Sequence, residues 1–209
     1  MAGLRKLLRD NRGGALVEMT LVFPLMLLLT FGLLEFGMVF WRYHTAEKAT
    51  AVGARWLSTR HGVAGSAPVT TELYTAVVPD CFVNTTQAPG TRCSQIAGAA
   101  AWTQTCSGAG GGGCNAGVMA ALVAQMQQYA PFITPANVTV RLRGSTVGFV
   151  GRGRAVPLIT VETTGLTYNL IAVDALVRFW TPAAVLGPIT LPSFASTFLA
   201  EDQKEGPGL

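Results

Sequence analysis

Arg12-Gly13-Gly14-Ala15-Leu16-Val17-Glu18 runs directly into Met19-Thr20-Leu21-Val22-Phe23-Pro24-Leu25-Met26-Leu27-Leu28-Leu29-Thr30-Phe31-Gly32-Leu33-Leu34-Glu35, and this junction of a charged entrance with an apolar run decides the fold. Continued to Trp41, a helix from Ala15 is about 40 Å long at about 1.5 Å per residue, more than a hydrocarbon core of about 30 Å requires. The stretch 15–41 therefore reads as a membrane span. An acidic residue in such a helix costs up to roughly 2.5 to 3.5 kcal/mol on insertion scales, so Glu18 at the mouth of the run asks for a reason.

Pro24 removes one backbone hydrogen bond and is expected to bend the helix rather than end it. Trp41 and Tyr43 suit the far interface, where amphipathic rings sit well, and Arg42 closes the apolar stretch. Arg5, Lys6, Arg9 and Arg12 precede the span, and Arg42, Lys48 and Arg55 follow it. This excess of basic residues on the N-terminal side favours a cytoplasmic N-terminus. All four cysteines, Cys81, Cys93, Cys106 and Cys114, lie after the span. An even number in that position is what disulfides in an extracytoplasmic domain require. Three pairings are possible, among them the one that joins sequence neighbours, Cys81 with Cys93 and Cys106 with Cys114. Zinc is the poorer reading, because no Cys-x-x-Cys pair occurs and His44 and His61 are distant in sequence from the cysteines.

Half of the residues are hydrophobic and only 12% are charged, a balance tilted by the span. The remainder is long enough for one compact domain. The net charge of +4 is concentrated at the front: residues 1–13 carry Arg5, Lys6, Arg9 and Arg12 against Asp10. Without that segment the chain is close to neutral, which removes the main support for nucleic acid as a partner.

Beyond the span, Ala46, Ala49, Gly53 and Leu57 fall on one helical face, and nothing interrupts the path from the membrane to Arg60. One helix over 14–60 is expected. The region 61–114 is rich in Gly, Pro, Ser, Thr and Cys and reads as irregular, with a short element within Val69–Val78 and a flexible glycine loop between Cys106 and Cys114. That loop lacks the following Lys-Ser or Lys-Thr of a phosphate cradle. Asn115 is placed to cap a helix whose Val118, Met119, Leu122, Val123, Met126 and Tyr129 form a core stripe, stopped by Pro131. Val138–Arg143 and Val156–Thr164 alternate as half-buried strands, and Val173–Trp180 and Ile189–Leu199 read as two more extended segments. The uncharged stretch Phe179–Leu199 makes a poor second span, because Pro182, Pro188 and Pro192 interrupt it. An α+β domain over 115–200 follows, its small antiparallel sheet set against the long helix, with a flexible tail at 201–209. Asp80, Glu162 and Asp174 are scattered single carboxylates, and no Gly-x-Ser-x-Gly turn, metal-type cluster or close acid pair occurs, so neither an enzyme nor a cofactor is expected.

Gly13-Gly14-Ala15-Leu16-Val17-Glu18, Phe23-Pro24-Leu25-Met26-Leu27-Leu28-Leu29, Leu34-Glu35-Phe36-Gly37 and Ala51-Val52-Gly53-Ala54-Arg55 together resemble the TadE-like proteins. These are minor pilins or pseudopilins of the bacterial tight-adherence (Flp, type IVb) pilus system. The resemblance is close over residues 9–57 and looser over Thr181-Pro182 to Leu191 and over Ser196-Thr197 to Glu201. It implies a pilin-like fold with residues 1–13 as a cytoplasmic leader. A prepilin peptidase would remove that leader after a glycine placed so that Glu is the fifth residue of the mature chain. Counting back from Glu18 sets the cut between Gly13 and Gly14, with Gly14-Ala15 as the alternative. Met19 departs from the aromatic residue that commonly follows the Glu.

The resemblance further implies an inner-membrane, single-pass protein whose C-terminal domain is extracytoplasmic, with the pilus itself as a second location. Other pilins or pseudopilins, the Tad assembly machinery and membrane lipid would be its partners. In that setting Glu18 pairs with the Gly14 amine of a neighbouring subunit; the alternative is simple solvation at the cytoplasmic interface. Glu35, nearer the outer interface, either snorkels or meets a partner subunit. Two rivals are a signal-anchored periplasmic enzyme or binding protein, which lacks visible catalytic groups, and a cleaved secretory signal peptide, whose apolar run would be shorter.

Overall fold

A computed structural model describes residues 14–60, 88–96, 103–110, 114–144, 146–150 and 157–199. Gly13 and the rest of the leader, the Val69–Val78 element, Cys81 and the 201–209 tail lie outside the described residues. The architecture is α+β, as expected: a long apolar N-terminal helix followed by a domain with a small antiparallel sheet. Helix α1 (Gly14–Arg60) is a single helix of 47 residues that continues through Pro24. Its best 18-residue window has a mean hydropathy of 2.1, and among the described residues it is the one helix long and apolar enough to cross a membrane.

Two compact units are present: 1–41 with 167–189, and 42–166 with 190–209. In the second, β1 (Thr103–Ser107), β2 (Val138–Arg143), β3 (Leu158–Thr163) and β6 (Phe194–Leu199) form an antiparallel sheet in the order β1-β2-β3-β6. The register sets Cys106 opposite Val140, Val140 opposite Val161 and Val161 opposite Ser196. Alternation along β2 and β3 follows directly from sequence, with Val138, Val140, Leu142, Ile159, Val161 and Thr163 buried on one face.

Helix α2 (Ala116–Gln127) begins where Asn115 accepts hydrogen bonds from the Gly117 and Val118 N–H groups at 2.9 and 3.3 Å. Such a cap satisfies donors that the first helical turn leaves without partners. The stripe Val118, Met119, Leu122, Val123 and Met126 is buried as expected. Tyr129 departs from it: the helix ends before this residue, which is exposed, with the Lys48 ammonium 5.2 Å from its ring centre. The Ala46, Ala49, Gly53 and Leu57 face of α1 is likewise buried. A Cβ built on Gly53 would come within 2.8 Å of Met126 Cγ, so the missing side chain is what lets α1 and α2 approach. Thr50 and Thr163 join helix to sheet by a buried hydroxyl contact of 2.8 Å.

Three expectations are corrected. Strand β1 lies inside the region read as irregular; it is short, and its small polar residues show no amphipathic alternation until β2 supplies a neighbour. Ile189–Leu199 is two strands, β5 (Ile189–Thr190) and β6, because Pro192 between them has no N–H to give a ladder. Strand β5 pairs with β4 (Thr167–Tyr168) in a separate two-stranded sheet. Val173–Trp180 is helical, not extended: α3 spans Ala172–Trp180. Its valines and aromatic residues favour a strand, but extended alternation would put Asp174 and Arg178 on a face with Leu176 and Trp180. Helical spacing instead gathers Ala172, Ala175, Leu176 and Phe179 on one side and the two charges on the other.

Candidate functional site

Of the functional residues expected from sequence, Gly14, Glu18, Pro24 and Glu35 lie on α1. Gly14 opens the helix, and a Cβ built there meets nothing within 4 Å. Glu18 is exposed one turn later and makes no ion pair among the described residues. Met19–Leu34 then carries no charge, and most of its large side chains are exposed, Leu21 at 70% and Leu33 at 74%. Glu18 and Glu35 are thus separated by about 26 Å of apolar helix at about 1.5 Å per residue, close to the hydrocarbon thickness of a bilayer. Thr20 and Thr30 direct their hydroxyls to helix carbonyls, Thr20 to Val17 at 2.8 Å and Thr30 to Met26 at 3.0 Å, so neither leaves a free donor in the apolar stretch.

Glu35 behaves differently from Glu18. Its side chain is buried, only 7% exposed, and it accepts three backbone N–H groups from a segment far along the chain. Ile171 and Ala172 donate to Oε1, the first at 2.6 Å, and Val173 donates to Oε2 at 3.0 Å. These are the opening amides of α3, whose own N-cap, Ile171, has no side chain able to accept a hydrogen bond. The carboxylate therefore performs the work of a missing Ser, Asp or Asn, and its charge faces the positive end of the helix dipole. Of the two expectations for Glu35, snorkelling or a partner subunit, neither describes this contact, since the partner is the chain's own backbone. Sequence held one signal for it: an apolar helix start, Ile171-Ala172-Val173, with no local cap.

Within the same segment, Asp174 binds Arg178 at 2.7 Å and also accepts the Leu186 N–H at 3.0 Å, holding the return from the end of α3 against its first turn. In the other unit, Cys106 and Cys114 form a disulfide across the glycine loop, as neighbour pairing anticipates. Cys93 is fully buried and disulfide-bonded. Its segment is tied to the 146–150 loop through the Cys93 N–H to the Gly148 carbonyl and the Val150 N–H to the Thr91 carbonyl. Among the described residues no cluster of His, Cys, Asp and Glu is arranged to hold a metal.

These features define a class first: an α+β protein anchored in a membrane by an apolar N-terminal helix that is entered through a Gly-to-Glu motif and left through a buried acid. The model of the family described as TadE-like protein matches residues 13–55, nearly the stretch over which the resemblance is close. Over that stretch the chain is similar to TadE-like proteins. The chain matches neither a curated protein nor a solved structure.

Proposed function

We propose that this protein is a minor pilin or pseudopilin of a bacterial tight-adherence pilus, made as a precursor and cut by a prepilin peptidase between Gly13 and Gly14. The observation that carries the reading is the interval from Gly14 to Glu18, lying inside the family match and at the start of a helix otherwise free of charge as far as Glu35. Cleavage turns the Gly14 nitrogen into a cationic amine, and in an apolar layer that amine and a neighbour's Glu18 carboxylate lower each other's cost of burial. The exposure of Glu18 supports a role between chains rather than within one.

In this reading the N-terminus is cytoplasmic, the span lies in the inner membrane, and the disulfide-bonded domain is extracytoplasmic, where thiols are oxidised. The test is the N-terminal sequence of protein extracted from membranes. It is expected to begin at Gly14, and a bulky residue at position 13 should leave the leader attached. A native chain that keeps its leader, or one that begins beyond Trp41, overturns the proposal.

A further inference from the structure

The unit that contains the apolar part of α1 contains a second apolar element, residues 171–189. Helix α3 starts at Glu35, the end of the charge-free stretch, and runs back along α1, so that Leu176, Phe179 and Trp180 line a groove of about 570 Å³ with Phe23, Leu27 and Phe31. The chain then turns at Thr181–Ala184, where the Ala184 N–H donates to the Thr181 carbonyl at 2.9 Å, and returns through Val185 and Leu186. Ile171, Phe179 and Val185 are 75%, 82% and 69% exposed, and Trp180 is more than half exposed. Water is a poor environment for so many large apolar groups on so short a segment.

We propose that residues 171–189 form a re-entrant element seated in the hydrocarbon of the bilayer leaflet at the Glu35 end of the span, with lipid acyl chains filling the groove beside α1. Its apolar surface continues that of a helix that itself crosses the membrane. Its depth is set by Glu35, whose hydrogen bonds fix the start of α3 at the interface. Its length fits as well: nine residues of helix descend about 14 Å, roughly half of a hydrocarbon core of about 30 Å. Its two charges are Asp174 and Arg178, which neutralise each other at 2.7 Å. The amides that open α3 end on Glu35, and the Leu186 amide ends on Asp174. Each of these hydrogen bonds removes a donor that hydrocarbon could not satisfy.

The inference rests on membrane anchoring by α1, not on processing or pilus assembly. The full chain is reconstituted in phosphatidylcholine vesicles, and Trp180 emission is taken as the difference between the native protein and Trp180→Phe. Lipid brominated along its acyl chains is expected to quench that difference, while aqueous acrylamide leaves it nearly unchanged. In the Phe179→Trp, Trp180→Phe double variant the relocated indole should respond in the same way, which guards against a local effect of one substitution. Quenching by acrylamide without quenching by bromolipid overturns the proposal, because the element then lies in water. Resistance to both quenchers overturns it too, since protein rather than lipid then covers the groove. Alkaline carbonate extraction separates the two levels: protein that stays in the pellet keeps the anchoring intact whatever Trp180 reports, whereas release to the supernatant removes the anchoring and this inference together.

Discussion

Glu35 and Ile171 stand 136 residues apart in the chain and are joined by a hydrogen bond of 2.6 Å, from the Ile171 N–H to the Glu35 carboxylate. With the Ala172 and Val173 amides on the same carboxylate, the start of α3 is specified from a distant point on α1. Hydrogen bonds to a charged group contribute about 1.5 to 3 kcal/mol, and an acceptor that is removed leaves several donors without partners at once. Glu35→Ala is therefore expected to weaken α3 by about 2 to 3 kcal/mol, equivalent to roughly a 30- to 150-fold rise in opening. Glu35→Gln, which retains one acceptor oxygen, should have a smaller effect. Amide hydrogen exchange at Ile171, Ala172 and Val173 measures this directly, and unchanged protection in Glu35→Ala counts against the cap.

At Gly53 two effects of similar size oppose one another. Replacing a helical glycine by alanine gains about 1 kcal/mol of propensity, but the new Cβ meets Met126, and overpacking costs about 1 to 3 kcal/mol. Gly53→Ala should thus lie between neutral and about 2 kcal/mol destabilising, and Gly53→Val should be worse, since branching adds bulk against the same contact. Shortening the neighbour makes room, so Gly53→Ala combined with Met126→Ala should be more stable than the sum of the single changes by about 1 kcal/mol. Thermal unfolding in detergent of the two single variants and the double variant completes the cycle.

The Thr50 and Thr163 hydroxyls give an asymmetric prediction. Thr50 Oγ1 donates to the Ala46 carbonyl at 2.8 Å, which leaves Thr163 as donor in the contact between them. Thr50→Val then strands a hydroxyl proton at a fully buried position, costing about 1 to 3 kcal/mol, whereas Thr163→Val removes the donor and leaves Thr50 bonded. Thr50→Val should be the more damaging of the two, and the double valine variant should recover part of its loss. Equal losses in denaturant titration would show the hydroxyl roles to be reversed or shared.

How far such features can be read in advance depends on the range of the interactions behind them. Helix α1 needs only its own apolar run and the small-residue face from Ala46 to Leu57. Helix α2 needs only Asn115 and its stripe, and β2 and β3 need only alternation. All of these are encoded within a few residues of where they act, and all are visible in sequence. Strand β1 is not, because Thr103–Ser107 becomes a strand by pairing with β2 across the disulfide loop. Helix α3 is not, because its β-branched residues favour extension and its cap comes from the other end of the chain. The Glu18 motif is legible as a spacing, while the contact of Glu35 exists only after folding.

The Cys106–Cys114 disulfide closes a loop with a sequence separation of 8. By loop-closure entropy such a bridge contributes about 2.5 kcal/mol through the unfolded chain. Cys106 is fully buried on β1, so alanine is the appropriate replacement and serine would add the burial of a hydroxyl. The Cys106→Ala, Cys114→Ala variant is expected to lose about 2 to 3 kcal/mol in stability while keeping its circular dichroism spectrum. A larger loss accompanied by altered strand content would mean that the bridge shapes β1 rather than only restraining the loop.

Glu18 should behave in the opposite way to every position above. It is exposed and makes no ion pair within the described part of its own chain, so Glu18→Ala and Glu18→Gln should leave the folding, disulfide formation and membrane extraction of the protein unchanged. If its carboxylate pairs with a neighbour's Gly14 amine, both variants should still be cut by the peptidase yet fail to co-purify with other pilus subunits, because the amine would then be buried without its partner. Glu18→Asp keeps the charge on a shorter stem and should restore part of the association. Co-purification of the two neutral variants at the native level, with cleavage intact, would leave Glu18 as an interfacial acid with no part in assembly.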